Sequence, residues 1–248
     1  MLIQGDCIDV MHELIESGLK FDAIITDPPY GTTACKWDSI IPFDKMWERL
    51  KLIRYDKTPI ILFGSEPFTS NLRLSNIEEY KYDWYWYKNK PSGAMTAKIQ
   101  PMKAIENLSV FYKSPPNYTP QMKERTEAEL KRLSKKSVYT CSTEIDNRKW
   151  GKSGNRDDNK LKYPNNVLEI KTVFNRSKEK VAHSTQKPVE LMEYLIKTYT
   201  NENELILDFT CGSGTTLIAA RNLKRKCIGI ELEEKYCEIT KNRLENLL

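Results

Sequence analysis

No stretch of this 248-residue chain approaches the roughly 18 to 20 consecutive apolar residues that span a bilayer, so no membrane-spanning helix is expected. Histidine is nearly absent, with only His12 and His183. The six cysteines, Cys7, Cys35, Cys141, Cys211, Cys227 and Cys237, are scattered without a C-x-x-C pair. A zinc site needs about four clustered nitrogen or sulfur ligands. No metal centre is therefore expected, and the cysteines read as reduced structural thiols. The amino terminus, MLIQGDCIDVMHEL, lacks the basic-then-apolar layout of a secretion signal, because Asp6, Asp9 and Glu13 interrupt it. A cytoplasmic location is the expectation. No internal repeat is visible.

What is present suits a globular α/β protein: 40% apolar and 29% charged residues, in a length that buries a full sheet. The net charge of +5 is modest but unevenly placed. From Lys113 to Lys180 there are about 17 Lys and Arg against about 9 Asp and Glu. The remainder of the chain is slightly acidic. A basic segment of this kind suits a groove for a polyanion, although a solvated insertion accounts for a lysine-rich stretch as readily.

Short apolar runs punctuate the chain. Phe21–Thr26 ends in Asp-Pro-Pro, Pro59–Phe63 in Gly64, and Leu108–Tyr112 in Ser-Pro-Pro, so each reads as a buried strand closed by a loop. Glu204–Asp208 and Cys227–Glu231 are apolar runs that finish on an acid. The aromatic run Asp83–Tyr87 reads first as a buried strand and second as a binding face. Met192, Leu195, Ile196 and Tyr199 follow a helical stripe with Pro188 at its start. Cys237, Thr240, Leu244 and Leu247 share one face of a final helix. Strands alternating with amphipathic helices imply a mainly parallel sheet covered on both faces. Between Ser114 and Asn175 the periodicity fades. The expected organisation is one domain from residues 1–113 and 181–248, with a basic insertion at 114–180.

Two segments carry chemistry. Asp208-Phe209-Thr210-Cys211-Gly212-Ser213-Gly214-Thr215-Thr216 follows a strand and opens a helix. Its glycines permit a tight turn and close approach of the backbone to a ligand. A dinucleotide loop has a third glycine where this chain has Leu217, and no Lys-Ser/Thr pair follows as in a phosphate-binding P-loop. The acid Glu231 ends the next strand, about 20 residues on, where a carboxylate can accept both ribose hydroxyls of an adenosine ligand. That layout suits a nucleoside cofactor without a pyrophosphate, and makes a nicotinamide enzyme the weaker reading.

The second segment is Thr26-Asp27-Pro28-Pro29-Tyr30-Gly31. Consecutive prolines stiffen the loop and remove two N–H donors, leaving unpaired carbonyls. The ionised Asp27 only accepts hydrogen bonds. Asp27 and the Pro28 carbonyl are thus two acceptors suited to gripping an NH2 group, and Tyr30 offers a ring against which a planar base can stack.

These residues together resemble the amino-group DNA methyltransferases. Asp27-Pro28-Pro29-Tyr30 looks like that family's catalytic tetrapeptide. Asp208, Phe209, Thr210, Gly212, Ser213, Gly214 and Thr215 resemble its S-adenosylmethionine loop, and Glu231, followed by Leu232, its ribose-binding acid. Gln4-Gly5-Asp6-Cys7 is similar to the segment that contacts the cofactor's adenine. His183-Ser184-Thr185-Gln186-Lys187-Pro188 is similar to the segment lining its methionine end, with Thr185 and Lys187 as the implied contacts. Glu106–Phe111 matches a less specific family strand. The tetrapeptide precedes the cofactor loop, which is the permuted order of the family's β group.

The resemblance implies a Rossmann-like methyltransferase fold, S-adenosylmethionine as cofactor and double-stranded DNA as partner, with no membrane partner. The basic insertion becomes the expected target-recognition region. Lys88, Lys90 and Lys98, with Lys123, Arg125, Arg148 and Lys149 in the insertion, become the expected DNA contacts. The starting Asp favours N6 of adenine, since a serine-starting version is commoner among cytosine-N4 enzymes. An amino group inside a duplex is reached by flipping the base out. The resemblance also admits a homodimer and a cognate restriction endonuclease as partners. Alternatives are cytosine-N4 methylation, an RNA or protein-amide methyltransferase, and a catalytically silent DNA-binding protein.

Overall fold

The computed structural model describes residues 1–33, 35, 37–134, 160–174, 179–182 and 185–246. Cys141, Arg148, Lys149, His183, Ser184 and Leu247, all singled out in the sequence, lie outside the described residues. The chain forms two compact units, residues 1–119 with 166–248 and residues 120–165.

The larger unit begins with β1 (Leu2–Gln4), α1 (Cys7–Glu16), β2 (Ala23–Thr26), α2 (Phe43–Leu52), β3 (Ile60–Gly64), α3 (Phe68–Ser75), β4 (Tyr80–Ser92) and β5 (Lys103–Phe111). The smaller unit holds β6 (Lys123–Glu124), α4 (Glu127–Ser134) and β7 (Leu161–Lys162). The larger unit then resumes with β8 (Val167–Glu169), α5 (Val189–Tyr199), β9 (Leu205–Asp208), α6 (Thr215–Asn222), β10 (Lys226–Glu231) and α7 (Glu234–Glu245).

Eight strands form one sheet in the order β1-β10-β9-β2-β3-β5-β4-β8. The first five run parallel. β5 is antiparallel to β3, and β4 to β5. Strand periodicity sorts the core between two faces. Ile24, Ile60, Leu62 and Leu207 point to the layer built by α1, α2 and α3. Ala23, Ile25, Ile61, Phe63 and Ile206 point to the layer built by α5 and α6. The aromatic run at 83–87 is a strand, as expected. Trp84 and Trp86 are buried while Tyr87 is exposed, and the two indole N–H groups donate to the Tyr199 hydroxyl and the Ile170 carbonyl, each at 2.7 Å.

The larger unit extends further than the sequence suggests. Residues 114–119 and 166–180, expected in the insertion, belong to it, and β8 pairs in parallel with β4 at the sheet edge. Asn166 supports that pairing by donating its side-chain amide to the Asp83 carbonyl at 3.2 Å. The smaller unit is organised locally: β6 and β7 pair antiparallel, and Thr126 and Glu129 form a reciprocal capping box at the start of α4.

One feature of this topology positions the site. From β2 the chain crosses through α2 to β3, while from β9 it crosses through α6 to β10, on the opposite face and in the opposite direction along the sheet. The carboxyl ends of the adjacent strands β2 and β9 therefore border a crevice, the topological switch point at which open α/β sheets bind ligands.

Candidate active site

The two chemistry-bearing loops leave the sheet side by side at this switch point and are bonded to each other. The Asp208 carboxylate accepts from the Thr26 hydroxyl at 2.7 Å and the Thr210 N–H at 3.3 Å. The Thr26 oxygen in turn accepts from the Phe209 N–H at 2.9 Å. The Thr210 hydroxyl donates to the Asp27 carbonyl at 3.0 Å. Burial pushes the Asp208 carboxyl up to about 6, with the hydrogen bonds pulling the other way.

A cavity of about 970 Å³ opens over these loops, at the upper end of the range of roughly 300–1,000 Å³ common for small-molecule sites. Asp27, Pro28, Pro29 and Tyr30 line one part of it. Asp208, Phe209, Thr210, Gly212, Ser213 and Thr215 line another, together with Asp6, Cys7, Thr185, Lys187, Glu231 and Leu232.

The cofactor side is built around Glu231 at the end of β10. One carboxylate oxygen accepts the Gly212 N–H at 2.8 Å and the other the Glu233 N–H at 2.9 Å. A carboxylate offers about four lone-pair sites, so this nearly buried group keeps acceptor capacity for two hydroxyls from the cavity. Burial pushes its carboxyl up, against the two backbone N–H bonds. Gly214 adopts φ +74°, and any side chain there would overlap the Thr240 methyl. Helix α7 secures the loop from below: the Thr240 hydroxyl donates to the Gly212 carbonyl at 3.0 Å, and Arg243 Nη1 to the Ser213 carbonyl at 2.5 Å. Asp6 caps α1 by accepting the Ile8 N–H at 2.8 Å. An acid with spare acceptor capacity, a tight turn with glycines at 212 and 214, and a capacious pocket fit S-adenosylmethionine.

Asp27 lies at the head of a buried chain of charges. Its Oδ2 is ion-paired with Lys187, and its Oδ1 accepts the Tyr30 hydroxyl at 2.5 Å. Lys187 Nζ also stands 3.4 Å from Glu106 Oε2. Glu106 Oε1 in turn accepts from Lys88 at 3.0 Å. Burial pushes the Asp27 carboxyl up and Lys187 pulls it down, while the negative Glu106 adds to the upward push. For Glu106 the two lysines outweigh burial and hold its carboxyl below the usual range. Lys187, expected at the methionine end of the cofactor, borders the cavity with its ammonium directed at these two carboxylates.

The tetrapeptide is held open by an aspartate that the sequence did not single out. Asp38 accepts the backbone N–H groups of Tyr30 at 2.8 Å, Gly31 at 2.9 Å, Thr32 at 2.9 Å and Thr33 at 2.6 Å. Burial would raise its carboxyl, but these bonds dominate and lower it. The Tyr30 ring packs on Phe68, with centroids 5.0 Å apart and planes at 32°.

The expected DNA contacts differ in setting. Lys90 is exposed over the Phe174 ring and borders the cavity, and Lys98 is exposed on the turn between β4 and β5. Lys88 is only 6% exposed. Its ammonium is committed to Glu106 and Ser92, which places it inside the charge chain rather than on a surface that meets phosphates. Lys123 and Arg125 belong to the smaller unit, where Arg125 Nε donates to the Leu161 carbonyl at 3.1 Å.

The family model for N6/N4 methyltransferases, described as DNA methylase, matches residues 21–242. Among curated proteins, the type II methyltransferase M.HpaI of Haemophilus parainfluenzae is 27% identical over 99% of this chain and 74% of its own length. The type II methyltransferase M1.MboII of Moraxella bovis is 26% identical over 94% of this chain and 92% of its own. Among solved structures, the M1.HpyAVI–SAM complex superposes with a TM-score of 0.65 at 26% identity, covering 98% of both chains.

Proposed function

This chain belongs to the N6/N4 DNA methylase family, and from that premise we propose that it methylates the exocyclic amino group of a flipped-out base in duplex DNA, N6 of adenine. The observation that carries this reading is the placement of the Asp27–Tyr30 loop and the Gly212–Gly214 loop on adjacent strand ends, facing one cavity. The enzyme is an S-adenosylmethionine-dependent DNA methyltransferase; the base, the flipping and the residue roles are the proposal.

An exocyclic amine is a poor nucleophile because its lone pair is delocalised into the ring. Asp27 and the Pro28 carbonyl accept its two hydrogens, which favours tetrahedral nitrogen and localises the lone pair. Such stabilisation of developing charge is worth about 3 to 4 kcal/mol for one well-placed group. Bound S-adenosylmethionine supplies an electrophilic sulfonium methyl: the nitrogen lone pair forms the new N–C bond, and the S–C pair stays on sulfur as a neutral thioether. Asp27 takes the proton that the alkylated nitrogen sheds and passes it to solvent. Tyr30 supplies the stacking surface for the base. No covalent enzyme intermediate is required, in keeping with the burial of Cys7, Cys211 and Cys237.

A cognate restriction endonuclease and a homodimer are proposed as partners on the family resemblance alone. Exposed Lys90 and Lys98, with Lys123, Arg125, Arg148 and Lys149, are the proposed phosphate contacts, and the segment 120–165 the proposed target-recognition region. The base is tested by methylating unmodified genomic DNA with labelled S-adenosylmethionine and digesting it to nucleosides. Label is expected in N6-methyldeoxyadenosine. Label in N4-methyldeoxycytidine would keep the chemistry and correct the base.

A further inference from the structure

Both carboxylate oxygens of Asp27 are taken in the resting site. Tyr30 donates to Oδ1 and Lys187 to Oδ2. A carboxylate offers about four lone-pair sites, so an incoming amino group either shares an oxygen with one of these donors or displaces it, and it meets the stronger acceptor where a donor withdraws. Tyr30 can turn its hydroxyl towards the open cavity that it lines. Lys187 has less freedom: its side chain is only 8% exposed, and its ammonium lies 5.3 Å from the Phe63 ring centroid. An ammonium in such a place needs a second anion close by, because an uncompensated buried charge is strongly destabilising.

We propose that Glu106 is a positioning residue that takes over the Lys187 ammonium when the target amino group engages Asp27. This inference rests on Asp27 being the amino-group acceptor. Three observations carry it. Glu106 Oε2 is buried and held loosely, by the ion pair with Lys187 and by no well-formed hydrogen bond among the described residues, and a buried acceptor gains from a closer donor. The nearest cation to that oxygen is Lys187 Nζ itself, at 3.4 Å, so a shift of under about 1 Å brings it to the length of a charge-assisted hydrogen bond. Glu106 is also immobilised for the task, since β5 carries its backbone and Lys88, anchored on Ser92 at 3.1 Å, holds its other oxygen.

The chain Asp27–Lys187–Glu106–Lys88 thus alternates in sign, two anions with two cations, and the handover moves Lys187 without unpairing any charge. It frees Asp27 Oδ2 while leaving a cation beside it, so Asp27 stays ionised as the amine arrives. The groups that face Asp27 are Tyr30 from its own loop, Lys187 ahead of α5, Glu106 from β5 with Lys88 of β4 behind it, and Asp208 from β9.

Glu106→Gln keeps the shape and an acceptor but removes the charge. Lys187 then remains on Asp27, and kcat is expected to fall at least about tenfold, with KM for DNA and cofactor Kd within about threefold of wild type. The acid limb of the kcat–pH profile is expected to move to lower pH, because the Glu106 charge raises the Asp27 carboxyl. Glu106→Asp, which keeps the charge, should retain the wild-type limb. Glu106→Gln strands Lys88, so the double variant Lys88→Met with Glu106→Gln removes that buried pair as a unit and should show the same kcat loss and limb shift. Folded Glu106→Gln and double variants with wild-type kcat and an unmoved acid limb would overturn the inference. If Asp27→Ala also kept full turnover, the underlying assignment of Asp27 would fall as well; if Asp27→Ala were inactive, only the role of Glu106 would.

Discussion

Asp27→Ala is expected to lower kcat about 1,000-fold while leaving the cofactor Kd within about threefold of wild type. The size follows from what is removed: a largely buried acceptor placed where positive charge develops on nitrogen, at the upper end of the roughly 100- to 1,000-fold effect of one such group. Affinity for the cofactor should survive because its groups stand on different strands. Glu231 ends β10, and the glycine loop between β9 and α6 is braced by Thr240 and Arg243 of α7. The fold should survive as well, since Lys187 retains Glu106 as a partner. Single-turnover methyl transfer and calorimetric titration of the cofactor measure the two quantities separately. Asp27→Asn should fall between wild type and Asp27→Ala, because the amide oxygen still accepts one hydrogen bond. Unchanged transfer by Asp27→Ala would remove the assignment of Asp27.

The second large effect is expected at a position that contributes no side chain to the cofactor. Gly214→Ala should weaken S-adenosylmethionine binding at least about 30-fold. At φ +74° an L-residue is disfavoured, by about 1–2 kcal/mol. The new Cβ would also overlap the methyl of Thr240 and lie 2.8 Å from its hydroxyl oxygen. Thr240 is fully buried and cannot step aside. Displacing it loosens its bond to the Gly212 carbonyl, and with it the Gly212 N–H that orients Glu231. The loss therefore reaches Glu231, the proposed ribose-binding acid, through two hydrogen bonds. Combining Gly214→Ala with Thr240→Ser, which deletes the obstructing methyl, should restore part of the affinity and leave the backbone penalty. Wild-type affinity in Gly214→Ala would show that the loop tolerates a different backbone than the one it adopts.

The parts of this protein that sequence reading reached are those encoded by contiguous pattern. Apolar runs that close on Asp208, Glu231 and the Asp27 tetrapeptide mark strand ends, because a buried parallel strand is apolar throughout and its ligand-binding residues fall at its carboxyl end. The helical stripe of Met192, Leu195, Ile196 and Tyr199 marks α5 for the same reason of periodicity. Groups that act through distant partners left no such pattern. Lys187 meets Asp27 at a sequence separation of 160, and nothing in Gln-Lys-Pro indicates that its charge turns to two carboxylates. Asp38 sits in an irregular loop without a recognisable motif, and its four backbone bonds become visible only once the chain has folded around it. Lys88, expected among the DNA contacts, is buried instead; strand alternation together with Glu106 on the neighbouring β5 explains this. The edge strand β8 is three residues long, too short to carry a period within a polar, lysine-rich stretch.

The measurement that tests the account most directly offers the protein three acceptors at once. Unmethylated duplex DNA, total RNA and total soluble protein are incubated in parallel with labelled S-adenosylmethionine, and each is then treated with a nuclease or protease specific for it. Label is expected in the duplex DNA, released by deoxyribonuclease and absent when Asp27 is replaced by alanine. Label in RNA or protein, with none in DNA, would contradict it.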